Sequence, residues 1–157
     1  MSVTSAELKT LRESLGLTAQ WLADQAGVQI RTVRYWEAGR SSVPADVSAL
    51  LERIDRMLDD AVAQAVAQIT DSIAKPVAIP EITLVRYRTD DDLWRFRPEM
   101  RPIPVTTHAA MLMRLRRALF HVGIQSVIQY MDPEDYLDWL GDRPDSETER
   151  SEWAATR

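Results

Sequence analysis

A chain of 157 residues without cysteine has no disulfide, no thiol catalysis and no thiolate zinc site, and its length suits one ordinary domain or two small ones. The apolar share of 45% supports a globular core; no run approaches the roughly eighteen apolar residues of a membrane span, and the N-terminus lacks the basic-then-apolar order of a secretory signal, so the cytoplasm is the expected compartment. A net charge of −5 argues against nucleic acid, but over residues 1–45 Lys9, Arg12, Arg31, Arg34 and Arg40 stand against Glu7, Glu13, Asp24 and Glu37, a net of +1, and the charge of the docking face outweighs the total.

The first predicted helix runs from about Ser5, its expected cap, to Leu15, with Leu8, Leu11 and Leu15 at helical spacing. Gly16 to Gly39 reads as two short helices joined by a tight turn. Thr18 caps the first by accepting from a free backbone N–H; Leu22 and Ala23 form its apolar stripe, and Gly27 ends it. Val28 turns inward, and Val33 and Trp36 bury the second helix. Its outward side chains are Gln29, Ile30, Arg31, Thr32, Arg34 and Tyr35. A major groove admits one helix, and forked donors and amides there tell base edges apart. Arg40, Ser41 and Ser42 make a polar loop, and Pro44 opens the next helix at its favoured first-turn position.

Leu11-Arg12, Gly16-Leu17-Thr18, Leu22-Ala23, Gly27-Val28, Thr32-Val33 and Trp36-Glu37-Ala38-Gly39 together resemble the helix-turn-helix of Cro and phage repressors, the XRE-like group. The likeness covers about the first third of the chain. It implies a helical DNA-binding domain whose helix 29–38 enters the major groove. It also implies an internal Arg12–Glu37 pair beneath that helix. On this reading Gln29, Ile30, Arg31, Arg34 and Tyr35 contact bases, while Thr18, Gln20, Thr32, Arg40 and Ser41 hold phosphate. Ala19 stands where the family often has Gln, and Trp21 where it usually has a polar residue.

From Ala45 to Ile73 the chain has neither Gly nor Pro and reads as one long helix. Val47, Leu50, Ile54, Met57 and Ala61 make one apolar seam; Leu58, Val62, Ala65 and Ile69 make a neighbouring one. Its far half either pairs with a second copy or packs on the chain's own C-terminal part. Lys75-Pro76 to Pro80 is the expected boundary, dividing a domain of residues 1–75 from one of 76–157. Ile82 to Arg88 alternates like a strand. Asp90-Asp91-Asp92 reads as a solvated turn or helix cap, lacking further oxygen ligands at cation-site spacing. Leu93 to Pro104 is expected to be irregular, with Arg stems laid across aromatic rings or, less plainly, contacting nucleic acid.

A helix capped by Thr106 or Thr107 is predicted to reach His121, with Ala109, Leu112, Leu115, Leu119 and Val122 inward. Arg114, Arg117 and His121 line another edge, a solvated face or a ridge for anions. His108 and His121 lack the spacing of a helical zinc pair, so no metal or other cofactor is expected. Gly123 ends the helix, and Ile124 to Tyr130 reads as a second strand. Asp132 caps a helix with Pro133 first and Gly141 last; Asp145 or Ser146 starts another that contains Trp153. Tyr130-Met131-Asp132-Pro133-Glu134, Trp139-Leu140 and Arg150 to Trp153 faintly resemble the anti-CRISPR-associated autoregulators, which implies a C-terminal dimerisation domain.

The expected fold is mainly α: an N-terminal helix-turn-helix bundle, a long connecting helix and a small α+β C-terminal domain. The expected function is a sequence-specific transcriptional regulator, a homodimeric repressor on double-stranded DNA. The alternative is an antitoxin-like module whose C-terminal domain grips a partner protein through exposed Trp and Tyr. No nucleophile–base spacing, phosphate loop or metal set points to an enzyme.

Overall fold

The computed structural model describes residues 3–73 and 81–157. They form two compact units, 1–61 and 62–157. The expected boundary at residues 75–80 lies outside the described residues. The units themselves divide inside the long helix, so its last turns belong with the C-terminal unit rather than with residues 1–75.

The first unit holds α1 (Ser5–Ser14), α2 (Ala19–Ala26), α3 (Ile30–Glu37) and the first half of α4 (Ala45–Ser72). Thr4, not Ser5, caps α1. Thr4 Oγ1 accepts from the Glu7 N–H at 3.2 Å, and Glu7 accepts from the Thr4 N–H at 2.7 Å. That reciprocal box needs an acid three residues after the cap, which Thr4 has. These bonds to its charged form hold the Glu7 carboxyl below its usual range. Thr18 caps α2 through the Trp21 N–H at 3.0 Å. Gly27 ends α2 at φ 67°, a left-handed conformation that a Cβ would strain although nothing stands within 4 Å of it.

Leu8, Leu15, Leu17, Leu22, Ala23, Val33 and Trp36 are buried. On α4 the buried stripe is Val47, Ser48, Leu51, Ile54 and Leu58. This corrects the seam through Leu50 and Met57: Leu50 is half-buried and Met57 exposed. Both stripes run through Val47 and Ile54 at helical spacing, so periodicity allows either, and burial selects the one through Leu51 and Leu58.

The second unit continues from α4 into β1 (Ile82–Arg86), α5 (Asp90–Phe96), a 3-10 turn (Pro98–Met100), α6 (Val105–His121), β2 (Ser126–Tyr130), α7 (Pro133–Leu140) and α8 (Glu147–Ala155). β1 and β2 pair in parallel, Ile82 against Ser126 and Leu84 against Ile128. Parallel strands need a crossover, and the α5–α6 segment supplies it. Leu84, Leu112, Leu115, Leu119 and Ile124 form a buried core, with Val62, Ala65, Val66, Ile69, Ile73, Ile82 and Ile128 packed on it. Of the two expectations for the far half of α4, packing on the C-terminal part is the one observed.

Four local expectations change. Residues 93–104 are only partly irregular, since 93–96 complete α5 and 98–100 make the 3-10 turn: Thr89 caps α5 through the Asp92 N–H, and Asp90, Asp91 and Asp92 fill the helix's first turn, where acids suit its positive end. Neither Thr106 nor Thr107 caps α6, which starts after Pro104. Asp90 instead accepts from the Val105 N–H at 2.7 Å, so a carboxylate fifteen positions away does the capping and Thr107 is buried. The inward face of α6 includes His108 and Met111, while Val122 is exposed. Both strands are shorter than expected; β1 ends at Arg86 and β2 begins at Ser126.

Tyr87, Phe96, Tyr136 and Trp153 make a second, aromatic cluster, with centroids 5.6–5.8 Å apart along the chain of contacts. Arg150 sits buried against it. It donates to Asp145 Oδ2 at 2.7 Å and to the Phe96 carbonyl at 3.3 Å. The Tyr136 hydroxyl donates to the other Asp145 oxygen at 2.5 Å. Burial, then that bond to Asp145, raises the Tyr136 hydroxyl well above its usual range. His108, 5.3 Å from the Tyr87 ring, is lowered to about 3 by burial and by the neighbouring Arg97, Arg150 and Arg86 charges.

Candidate nucleic-acid interface

The first unit presents α3 as a rigid support. Val33 and Trp36 anchor its inner face. Beneath it, Arg12 forks onto Glu37, Nε to Oε1 at 2.5 Å and Nη2 to Oε2 at 3.1 Å. Its third nitrogen donates to the Leu17 carbonyl at 2.7 Å. One guanidinium thereby ties α1, the α1–α2 turn and the end of α3 together. Both side chains are only 9% exposed.

On the outer face Arg31 and Arg34 are exposed, and Arg40 follows in the loop. Among the described residues none of the three pairs with a carboxylate, because Glu37, the acid of α3, is taken by Arg12. Gln29 is the N-terminal flanking residue of α3, yet its side chain makes no capping bond. Its exposed amide stays available at that helix end. Ile30, Thr32 and Tyr35 are half-buried.

Tyr35 organises the cations. Its hydroxyl accepts from Arg31 Nε at 2.7 Å. The Arg31 and Arg40 guanidinium carbons lie 5.3 and 5.6 Å from the ring centroid. With Nε held, the two terminal nitrogens of Arg31 remain as a fork suited to the O6 and N7 acceptors of guanine. Tyr35 is thus placed to aim Arg31, a role that spacing in the sequence did not disclose.

The sites expected for phosphate are less uniform. Arg40 and Ser41 are exposed in the loop after α3, where Gly39 at φ 72° turns the chain. The Thr18 oxygen is engaged with the Trp21 N–H, leaving its own O–H to donate outward. Gln20 donates its amide to Asp24 at 2.8 Å along α2. Thr32 is half-buried. Trp21 is half-buried.

In the second unit, Arg117 and His121 are exposed on α6 and Arg114 is half-buried. Among the described residues no group of His, Asp and Glu could hold a metal ion, and no helix is long and apolar enough to cross a membrane.

Comparison with protein-family models matches residues 5–64 to one described as a helix-turn-helix domain. No curated protein matches the chain. The matched segment spans α1, α2 and α3 and the whole buried stripe of α4, and includes the residues that build the face just described. Residues 5–64 are thus similar to a helix-turn-helix domain.

Proposed function

We propose that the chain is a sequence-specific transcriptional regulator, a homodimeric repressor that reads the major groove of cytoplasmic DNA with residues 29–38 and acts by binding, not by catalysis. One observation carries this reading: the outer face of α3 offers an uncapped amide and two guanidinium groups that, among the described residues, no carboxylate neutralises. Arg31 forks to a guanine and Gln29 pairs an adenine edge. Arg34 reads a neighbouring base, and Ile30 touches a thymine methyl. Arg40, Ser41, Thr32 and Thr18 hold phosphate, which sets register without reading sequence. The acidic remainder of the chain weakens nonspecific binding and so favours selectivity.

The test is anisotropy with labelled DNA from upstream of the protein's own gene beside a scrambled duplex, across a salt series. Preference for the upstream DNA that persists as salt rises supports a specific reader. Equal, steeply salt-dependent binding to that duplex, the scrambled one and a random duplex library sinks it.

A second reading has its own observation. Phe120 is 70% exposed and Val122 and Met113 about half exposed, all on or just after α6. Together with Tyr130, 49% exposed, they are the apolar surface an antitoxin-like module would present to another protein. Stoichiometric co-purification of a partner that a Phe120→Asp variant loses would favour it.

A further inference from the structure

The two parallel strands end side by side, and the second unit finishes them unevenly. α8 covers the outer edge of β1, where the Ser151 hydroxyl donates to the Thr83 carbonyl at 2.6 Å. At the carboxyl ends the register sets Arg86 directly beside Tyr130. The Arg86 guanidinium carbon lies 5.8 Å from the Tyr130 ring centroid, and that of Arg88 lies 3.9 Å from it. One half-exposed ring thus gathers two cations.

Like charges at this range repel, and the chain supplies nothing to neutralise them. Among the described residues neither guanidinium has an ion pair or a hydrogen bond, and Arg86 Nε is shut off from solvent without an acceptor. The acids nearby are engaged elsewhere. Asp90 accepts from the Val105 N–H at 2.7 Å, Asp132 from the Asp135 N–H at 3.2 Å, and Glu134 pairs with Arg95 at 3.2 Å. Three guanidinium charges, of Arg97, Arg150 and Arg86, act on His108. Arg97 pairs with Glu99 and Glu147, and Arg150 with Asp145; Arg86 alone of these three has no carboxylate. In the first turn of α6, Thr107 Oγ1 and His108 Nδ1 are likewise buried without a partner. An unpaired buried donor costs free energy, more when it is charged, and such donors call for an acceptor that the chain itself does not provide.

We propose that Arg86 and Arg88 clamp the phosphate group of a small molecule, free phosphate or a phosphate monoester, at the carboxyl ends of β1 and β2. Two guanidinium groups match the double charge of a phosphate dianion, and their planar forks present paired donors to its oxygens. Tyr130 holds Arg88 against its ring, so less side-chain freedom is lost when the anion arrives. This site is separate from the DNA reading and does not depend on it.

The test is NMR of the arginine Nε–H signals of the full-length chain. It is titrated with inorganic phosphate and, separately, with phenyl phosphate at about pH 8, where the monoester is a dianion, at constant ionic strength. The Arg86 and Arg88 signals are identified by their loss in R86K and R88Q. Both are expected to shift saturably below roughly 20 mM of at least one probe, and R88Q to bind that probe about tenfold or more weakly. If R86K loses its fold, R88Q, altered at an exposed side chain, decides. Absence of a saturable shift with either probe overturns the proposal, as does R88Q binding within about two-fold of wild type. A shift confined to Arg31, Arg34 and Arg40 overturns it too. So does a DNA duplex that moves Arg86 and Arg88 when neither probe does, which would make them nucleic-acid contacts.

Discussion

Replacing Glu37 by Ala strands a guanidinium in the interior of the helix-turn-helix unit. The Arg12 and Glu37 side chains are each 9% exposed, and their contact is a two-pronged, charge-assisted one. Breaking a buried pair by removing one partner costs about 3–5 kcal/mol, since the remaining charge loses its counter-ion without regaining water. Arg12 keeps its bond to the Leu17 carbonyl, which places Glu37→Ala near the lower end, about 3 kcal/mol. A unit of residues 1–61 has a total stability of roughly 3–9 kcal/mol at 0.05–0.15 kcal/mol per residue. The variant should therefore keep roughly 0–6 kcal/mol of that stability. Hydrogen exchange of the α1–α3 amides reads this unit separately, and protection should fall about 100-fold or more. The double variant R12M/E37L, which replaces the pair with apolar groups of similar reach, should recover most of the loss. A loss below about 1 kcal/mol in Glu37→Ala would show that water reaches the site, and the reasoning from burial would fail.

Arg31→Ala should cost roughly 1–3 kcal/mol on the preferred duplex and relax one base preference; an equal loss on every sequence, measured by the same anisotropy titration, would make Arg31 a phosphate contact. Tyr35→Phe keeps the ring beneath the two guanidinium groups and removes the oxygen that holds Arg31 Nε. Discrimination at the guanine should drop several-fold while affinity for a scrambled duplex stays within about two-fold. Arg40→Ala should weaken binding to all sequences alike and lower the salt slope by about 0.9, read from log–log salt titrations. His108 binds its proton less readily folded, at about 3, than unfolded, at 6.5. The stability it contributes is complete above pH 6.5 and falls as pH drops toward 3, by up to about 1.4 kcal/mol per pH unit. Acid titration of unfolding in wild type and His108→Leu should show a shallower slope in the variant.

What the sequence disclosed was whatever is decided locally. Thr18 and Gly27 mark the ends of α2 because a cap and a left-handed turn each depend on one residue type. Asp132 with Pro133 announces α7 for the same reason. The outward face of α3 follows from Val33 and Trp36 three positions apart. Failures came where distant residues intervene. Asp90 caps α6 from outside it, so neither threonine is needed. Leu50 and Leu51 are neighbours on a helix, and only the position of the core tells which turns inward. Arg150, noted in the sequence only beside Trp153, is buried between Asp145 and the Phe96 carbonyl. Tyr35 was legible as an outward residue, but its grip on Arg31 depends on rotamers that spacing alone does not specify.

The bond from Ser151 to the Thr83 carbonyl joins residues 68 positions apart, and that separation sets a clock on synthesis. At about 5–20 residues per second, roughly 3–14 s pass between the emergence of β1 from the ribosome and the arrival of the helix that covers its edge. Strand pairing is far faster, about 1–10 μs for a hairpin, so through this interval the nascent second unit carries an unsheltered strand. The first unit, complete by residue 61, is free to fold while its successor waits. On a crowded polysome, neighbouring nascent chains would meet edge to edge before either is finished, which makes translation speed over residues 87–151 a determinant of how much of this protein reaches its native assembly.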